Sequence, residues 1–320
     1  MPQDTQRTTT ATDTPHASSA GTWTFGGDGP TVNRIGFGAM RLASREAFSG
    51  RDSRGREQSL AVLRRAVERG VDHIDTAAFY FSPLRSANEL INSALAPYPE
   101  NLVIATKVGP RRDASGGWRD WARPEELRGE VEENLRQLGR DHLDLVNLRM
   151  NGPRPVDELF GALAELRQAG LIRHLGVSNV TTEQLAQARA IAPVVAVQNR
   201  FSLDSRRGDS AEVLRRCGEL GIAFVPFFAI AGQHKESGRP GEDRDDTVRA
   251  VAEVARAHDA TPAQVRLAWT LHQGPHVLGI PGTGDPAHLD ENLAAGALRL
   301  SAAELERLET AGGTADGSEG

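Results

Sequence analysis

Three residue types that can move a proton together lie close in the chain: Asp75, Tyr80 and Lys107. A phenol ordinarily loses its proton near pH 10. An ammonium beside it favours the phenolate and lowers that value, and a carboxylate paired to the ammonium would hold it charged and oriented. Such a trio can give a proton to a carbonyl oxygen as hydride reaches the carbonyl carbon. Taken singly, each has a plainer use: an aspartate caps a helix, a lysine is a rim charge, a loop tyrosine packs. Their joint weight comes from where the elements place them.

Short apolar runs rich in Val, Ile, Leu and Phe recur at Ile35–Gly38, His73–Asp75, Leu102–Lys107, Leu143–Leu148, His174–Ser178, Val194–Gln198, Ala223–Pro226 and Val277–Pro281. Runs of this kind suit parallel strands covered on both faces. Amphipathic segments alternate with them. Arg56–Arg69 carries Leu60, Leu63 and Val67 on one side, and Pro124–Leu138 carries Leu127, Val131, Leu135 and Leu138. Pro155–Ala169 opens on a proline and stops before Gly170, and Thr181–Ala190 opens on a capping threonine. Eight strand–helix units predict an α/β fold, a closed (β/α)8 TIM barrel. A doubly wound open sheet is the alternative, but no Gly-x-Gly-x-x-Gly follows the first strand. Trp23–Phe25 and Thr31–Asn33 flank Gly26-Gly27-Asp28-Gly29 and predict an N-terminal β-hairpin. The polar stretch Phe228–Asp246 reads as a long functional loop. Residues 1–20 and 312–320 are polar and predict disordered tails around a barrel over 21–311.

In such a barrel the chemistry gathers at the C-terminal strand ends. The polar residues there are Asp75, Lys107, Asn147, Arg149, Ser178, Asn179, Gln198, Asn199 and Thr283, with Tyr80 on the loop beyond the second strand. The 320 residues are 39% apolar and 25% charged, an ordinary globular composition. A net charge of −6 argues against general nucleic-acid binding. No apolar run reaches the roughly 18–20 residues of a membrane span. One cysteine, Cys217, excludes an internal disulfide and, with no export-like apolar segment near the start, points to a cytoplasmic protein. His16 and His258 lack ligand spacing, and no HExxH or CxxC occurs, so no metal is expected.

Gly70-Val71-Asp72-His73-Ile74-Asp75-Thr76-Ala77-Ala78-Phe79-Tyr80 resembles the Gly-x4-Asp-Thr-Ala-x2-Tyr signature of aldo-keto reductases. The likeness continues through Asn88-Glu89, Ala105–Gly109, Leu175–Asn179, Val197–Asn199, Ile280–Thr283 and Glu291-Asn292, in the family's order. The resemblance implies Tyr80 as general acid, Lys107 lowering its pKa and Asp75 orienting Lys107. It implies that Ser178, Asn179 and Gln198 hold a nicotinamide carboxamide and that Phe201 stacks on the ring. Pro226 to Ile230, Phe227 among them, and Ile280, Gly282 and Thr283, with His288, Glu291 and Asn292 on the following helix, are implied to hold the rest of the cofactor. Gly38 and Met40 are implied to line it near the first strand.

The family places a histidine where this chain has Arg149. An arginine stays charged and donates in a fixed fork. Two readings stay open: Arg149 stabilises the developing oxyanion, or it binds an anionic or phenolic substrate group. A third has it turned outward, with weak catalysis. Asn147-Leu148-Arg149, Gly117-Trp118, Arg173–Gly176 and Val225–Phe228 resemble a bacterial subgroup close to pyridoxal reductases, which implies reduction of pyridoxal to pyridoxine. A ketoreductase of a secondary-metabolite pathway, or a cofactor-binding regulatory subunit with little turnover, are the alternatives.

The resemblance implies NADPH, with NADH the alternative. Asp285 and Asp290 would repel a 2′-phosphate if they face the ribose, and are only helix-start acids if they point away. His288, or Lys235 and Arg239 in the long loop, would then supply positive charge. The expected partner is a small carbonyl compound. No nucleic acid or membrane is expected, and a homo-oligomer stays open.

Overall fold

A strand whose neighbours are helices on one side and a packed bore on the other must bury both faces, and β7 (Val103–Val108) shows how. Val103 and Ala105 pack in the bore with Leu145, Ala196, Ala223 and Leu278. Ile104 and Val108 face the helical layer. Side chains alternate with period 2, so the next bore-facing position after Ala105 is Lys107. The computed structural model describes residues 14–43, 55–113, 115, 117–205, 209–230 and 245–313.

The parallel sheet contains β3 (Phe37–Gly38), β4 (His73–Asp75), β7, β8 (Leu143–Arg149), β9 (Ile172–Ser178), β10 (Val194–Gln198) and β11 (Ala223–Phe224), in that order. The segment expected as an eighth strand, Val277–Pro281, is not a ladder. It bridges Phe224 through Val277 and Ile35 through Gly279, and Gly38 N donates to Pro281 O at 3.2 Å. Pro281 has no N–H to continue the pairing. These bridges still close the sheet on itself, so the chain folds as a (β/α)8 barrel. Arg34 clamps the seam by donating to the carbonyls of Val277, Leu271 and Gly274.

β1 (Thr22–Thr24) and β2 (Thr31–Asn33) form the expected antiparallel hairpin. Its Phe25 and Val32 pack with the bore residues and cover the barrel's N-terminal end. Between β4 and β7 lie the short antiparallel strands β5 (Phe81–Ser82) and β6 (Arg85–Ser86).

The helices are α1 (Arg56–Glu68), α2 (Ala87–Leu95), α3 (Leu127–Leu138), α4 (Asp157–Gln168), α5 (Thr182–Ile191) and α6 (Ser210–Leu220). After β11 come α7 (Asp245–Ala257), α8 (Pro262–His272), α9 (Pro286–Ala294) and α10 (Ala302–Gly312). The predicted threonine cap is real: Thr181 and Gln184 make a reciprocal capping box on α5. On α3 the buried positions are Leu127, Val131, Asn134 and Leu138. Thus Asn134, absent from the apolar stripe read in the sequence, takes a core place and Leu135 sits at its edge.

The last residues of the segment expected as an N-terminal tail are structured. Ala17–Ala20 forms a 3₁₀ turn with Ala17 fully buried, and Ala17 N donates to Arg69 O at 2.9 Å. Small alanines let this segment pack where the polar composition suggested fraying. Residues 1–13 and 314–320, and most of the long loop (231–244) with Lys235 and Arg239, lie outside the described residues. Among the described residues no helix is long and apolar enough to cross a membrane, and no group of three or more His, Cys, Asp or Glu could hold a metal.

Candidate active site

The C-terminal strand ends open into a cavity of about 480 Å³. At its floor Lys107 Nζ lies 2.7 Å from both carboxylate oxygens of Asp75 and 3.0 Å from Thr76 O. The pair is nearly dry, with Lys107 2% and Asp75 5% exposed. Charges this deep persist only when paired and hydrogen-bonded, and here both conditions hold. Tyr80 is also buried, and the Lys107 ammonium sits 4.9 Å from its ring centroid. The expected lowering of the phenol is only partly present. Burial pushes the Tyr80 pKa up most strongly, Lys107 pulls it down by charge and hydrogen bond, Asp75 pushes it up, and Arg149 pulls it down. The pull of Lys107 is present as expected, but desolvation outweighs it, so the balance lies above an ordinary tyrosine and the phenol keeps its proton.

Arg149, at the end of β8, turns inward and not outward. It lines the cavity, its guanidinium lies 5.0 Å from the Phe227 ring centroid, and Nη1 donates to Ser178 Oγ at 3.4 Å. Its backbone carbonyl accepts from Trp121 Nε1 at 2.9 Å, which pins the strand end. Gln198 donates Nε2 to Asp75 Oδ1 at 2.9 Å, while its Oε1 is buried with no partner.

Of the expected cofactor residues, Gly38, Met40, Gln198, Pro226, Phe227, Ile280, Gly282, Thr283, His288, Glu291 and Asn292 line the cavity. Gly38 and Gly282 cross so closely that a Cβ on either would stand 2.6 Å from a backbone oxygen of the other segment. Only glycine permits that approach. Three expected residues do not reach the cavity. Ser178 is fully buried behind Arg149. Asn179, at φ 58°, turns its amide to Met150 O at 3.0 Å. Phe201 is a core aromatic, stacked on Trp269 with centroids 5.7 Å apart and 9° between planes. The chain has left the bore by then, because Asn199 is tied to Val180 through both ends of its amide. Phe227, by contrast, stands at the mouth.

Asp285 and Asp290 do not face the cavity. Asp285 caps α9 by accepting from Ala287 N at 2.9 Å. Asp290 is held by Arg65 of α1 and by Arg69 just past its end. Phe228, within the segment 226–230 expected at the cofactor, also lines the cavity; sequence reasoning missed Arg41 and Phe79 and gave Trp118 no place there. Arg112 donates to the carbonyls of Phe79 and Phe81 at 3.1 and 2.9 Å and lies 5.7 Å from the Trp118 ring. That fixes a 52% exposed Trp118 against Phe79, with centroids 6.0 Å apart. The glycine-flanked Trp118 on an arginine-rich loop was the available signal.

A parallel barrel with a carboxylate–lysine–tyrosine set at its C-terminal mouth is the framework of a barrel oxidoreductase. The chain belongs to the aldo/keto reductase family, whose model matches residues 34–312. It is 41% identical over 298 residues to the pyridoxine 4-dehydrogenase of Escherichia coli strain K12, covering 91% of this chain and 98% of that one. A crystal structure of an aldo/keto reductase from Klebsiella pneumoniae in complex with NADP and acetate is similar, with TM-score 0.71 and 28% identity over 90% of this chain and 94% of that one. A thermostable aldo-keto reductase bound to the inhibitor epalrestat has TM-score 0.75 and 29% identity, covering 91% of this chain and 99% of the other.

Proposed function

We propose that the protein reduces an aromatic aldehyde to its alcohol with NADPH, with pyridoxal the leading substrate and Tyr80 the proton donor. The observation that carries this is the Tyr80–Lys107–Asp75 set at the floor of one cavity, faced by Arg149. The donor set fits a nicotinamide dinucleotide: Gln198 Oε1 is an orphaned acceptor at the cavity wall, and the Gly38–Gly282 crossing gives a backbone cradle beside the start of α9. NADPH, when bound, supplies hydride to the carbonyl carbon.

The remaining work falls to the chain's own residues. Tyr80 Oη gives its proton to the carbonyl oxygen as negative charge develops there. Lys107, held charged by Asp75, stabilises the phenolate left behind. Arg149 adds a fixed positive charge beside the same oxygen, or holds a phenolic oxygen next to the aldehyde, as pyridoxal carries. Phe79, Trp118 and Phe227 give flat walls that suit a planar ring. The withdrawal of Asp285 and Asp290 supports NADPH, because neither carboxylate opposes a 2′-phosphate. The Escherichia coli relative supports the substrate, since a dehydrogenation is the same hydride transfer run backwards.

The test is NADPH and NADH oxidation by purified protein with pyridoxal, benzaldehyde and a cyclic ketone. Turnover of pyridoxal with NADPH is expected. Turnover of the ketone alone overturns the substrate. NADPH binding with no turnover of any carbonyl overturns the enzymatic reading.

A further inference from the structure

Asp75 and Lys107 face the bore, so their chain neighbours Thr76 and Thr106 face outward, towards the helices. There both threonines are fully buried, and both hydroxyls are used. Thr76 Oγ1 donates to Asn88 Oδ1 at 2.7 Å. Thr106 Oγ1 donates to Asn134 Oδ1 at 2.6 Å. The two amides are joined, Asn88 Nδ2 to Asn134 Oδ1 at 3.0 Å, and Asn134 Nδ2 donates to Glu130 O at 2.9 Å. One oxygen on α3 therefore gathers donors from β7 and α2, and through Asn88 it holds the residue after β4. All four side chains are 0% exposed.

This cluster adjoins both halves of the ion pair. Thr76 follows Asp75 and supplies the carbonyl that accepts Lys107 Nζ at 3.0 Å. Thr106 precedes Lys107. An apolar residue would fill the Asn134 site more cheaply, because a buried polar group gains nothing unless every bond is made. Packing alone does not account for an amide there whose oxygen accepts two hydrogen bonds and whose nitrogen donates one. We propose that Asn134 is a positioning residue, which holds the Lys107 ammonium where it meets Asp75, Thr76 O and Tyr80. The catalytic part rests on the function proposed above; the positioning part does not.

Asn134→Leu keeps the volume and strands two buried donors. Thr106→Val keeps the shape and removes one hydroxyl, so it tests the same link with less disturbance. The chain has two lysines, Lys107 and Lys235, so ¹⁵N-lysine labelling yields two Nζ signals, and Lys107→Arg assigns them. In the protein without cofactor, both variants are expected to shift the Lys107 Nζ signal and speed its proton exchange by about tenfold or more. In turnover they are expected to lower kcat by about ten- to hundredfold, the usual effect of a slightly misplaced group, with KM for NADPH within about twofold.

The alkaline limb of the reduction profile is expected to move up, because a displaced Lys107 no longer lowers Tyr80. Asp75 and Arg149, which also face the phenol, remain in place. A variant that melts earlier but keeps the Lys107 signal and the pH limb overturns the proposal, as does an unchanged signal in Thr106→Val. Inactive wild-type protein overturns only the catalytic reading, since the lysine signal still reports position.

Discussion

Asp75 and Gln198 meet across the barrel mouth through a 2.9 Å hydrogen bond from Gln198 Nε2 to the carboxylate oxygen that also receives Lys107. A carboxylate only accepts, so the contact fixes which end of the amide faces Asp75 and leaves Oε1 unpartnered. Gln198→Glu removes the donor and sets two carboxylates together. NADPH binding, followed by fluorescence titration, is expected to weaken on the order of tenfold, as for one lost hydrogen bond in a buried polar site. Unchanged affinity would remove Gln198 from the cofactor site.

Arg149 is expected to discriminate between substrates. Arg149→Met should lower kcat/KM for pyridoxal by about a hundredfold, as for removal of one preorganised donor. For benzaldehyde, which has no phenolic oxygen, a smaller loss is expected if Arg149 holds that oxygen. Steady-state kinetics on both aldehydes checks it. Equal losses would assign Arg149 to the carbonyl oxygen alone.

Asp290 belongs to the α1–α9 contact and not to cofactor choice. Its pair with Arg65 is partly exposed, at 25% and 35%. Asp290→Asn is therefore expected to lower Tm by no more than about 2 °C and to leave the NADPH-to-NADH preference unchanged. Calorimetry and kinetics with both cofactors check it; a swing in preference would show that the carboxylate reads the ribose.

Glu130 carries a pH signature. Burial pushes its carboxyl up to about 7, opposed by the hydrogen bond it accepts from Gly109 N. The folded value lies above the unfolded one, so the folded state holds this proton more tightly. The resulting stability is complete below about pH 4.5 and is lost as pH rises towards 7. Glu130→Gln is expected to flatten that part of the stability profile and to stabilise the protein at pH 8. Denaturant midpoints across pH 4–8 check it, and parallel profiles for wild type and variant would contradict it.

The barrel was legible because buried parallel strands leave continuous apolar runs and amphipathic helices leave stripes. The seam was less legible: Val277–Pro281 has the composition of a strand, but Pro281 limits its pairing to single bridges. Asp75, Lys107 and Arg149 could be placed because strand ends fix their direction, whereas Tyr80, on the loop beyond β4, was placed by the motif it closes. Phe201 could not, because spacing from Gln198 ignores the path of the chain beyond the strand, where Asn199 turns it into the core. Asn134 escaped notice because a polar residue breaks an apolar stripe, and only the structure shows the partners that satisfy it.

The most direct test compares wild-type protein with Tyr80→Phe, by stopped-flow NADPH oxidation with pyridoxal alongside NADPH binding. Loss of the proton donor is expected to slow reduction by about 10²- to 10⁴-fold while affinity for NADPH stays the same. Reduction at the wild-type rate by Tyr80→Phe would contradict the account, because the proton would then come from elsewhere and the Asp75–Lys107 pair would serve only the fold.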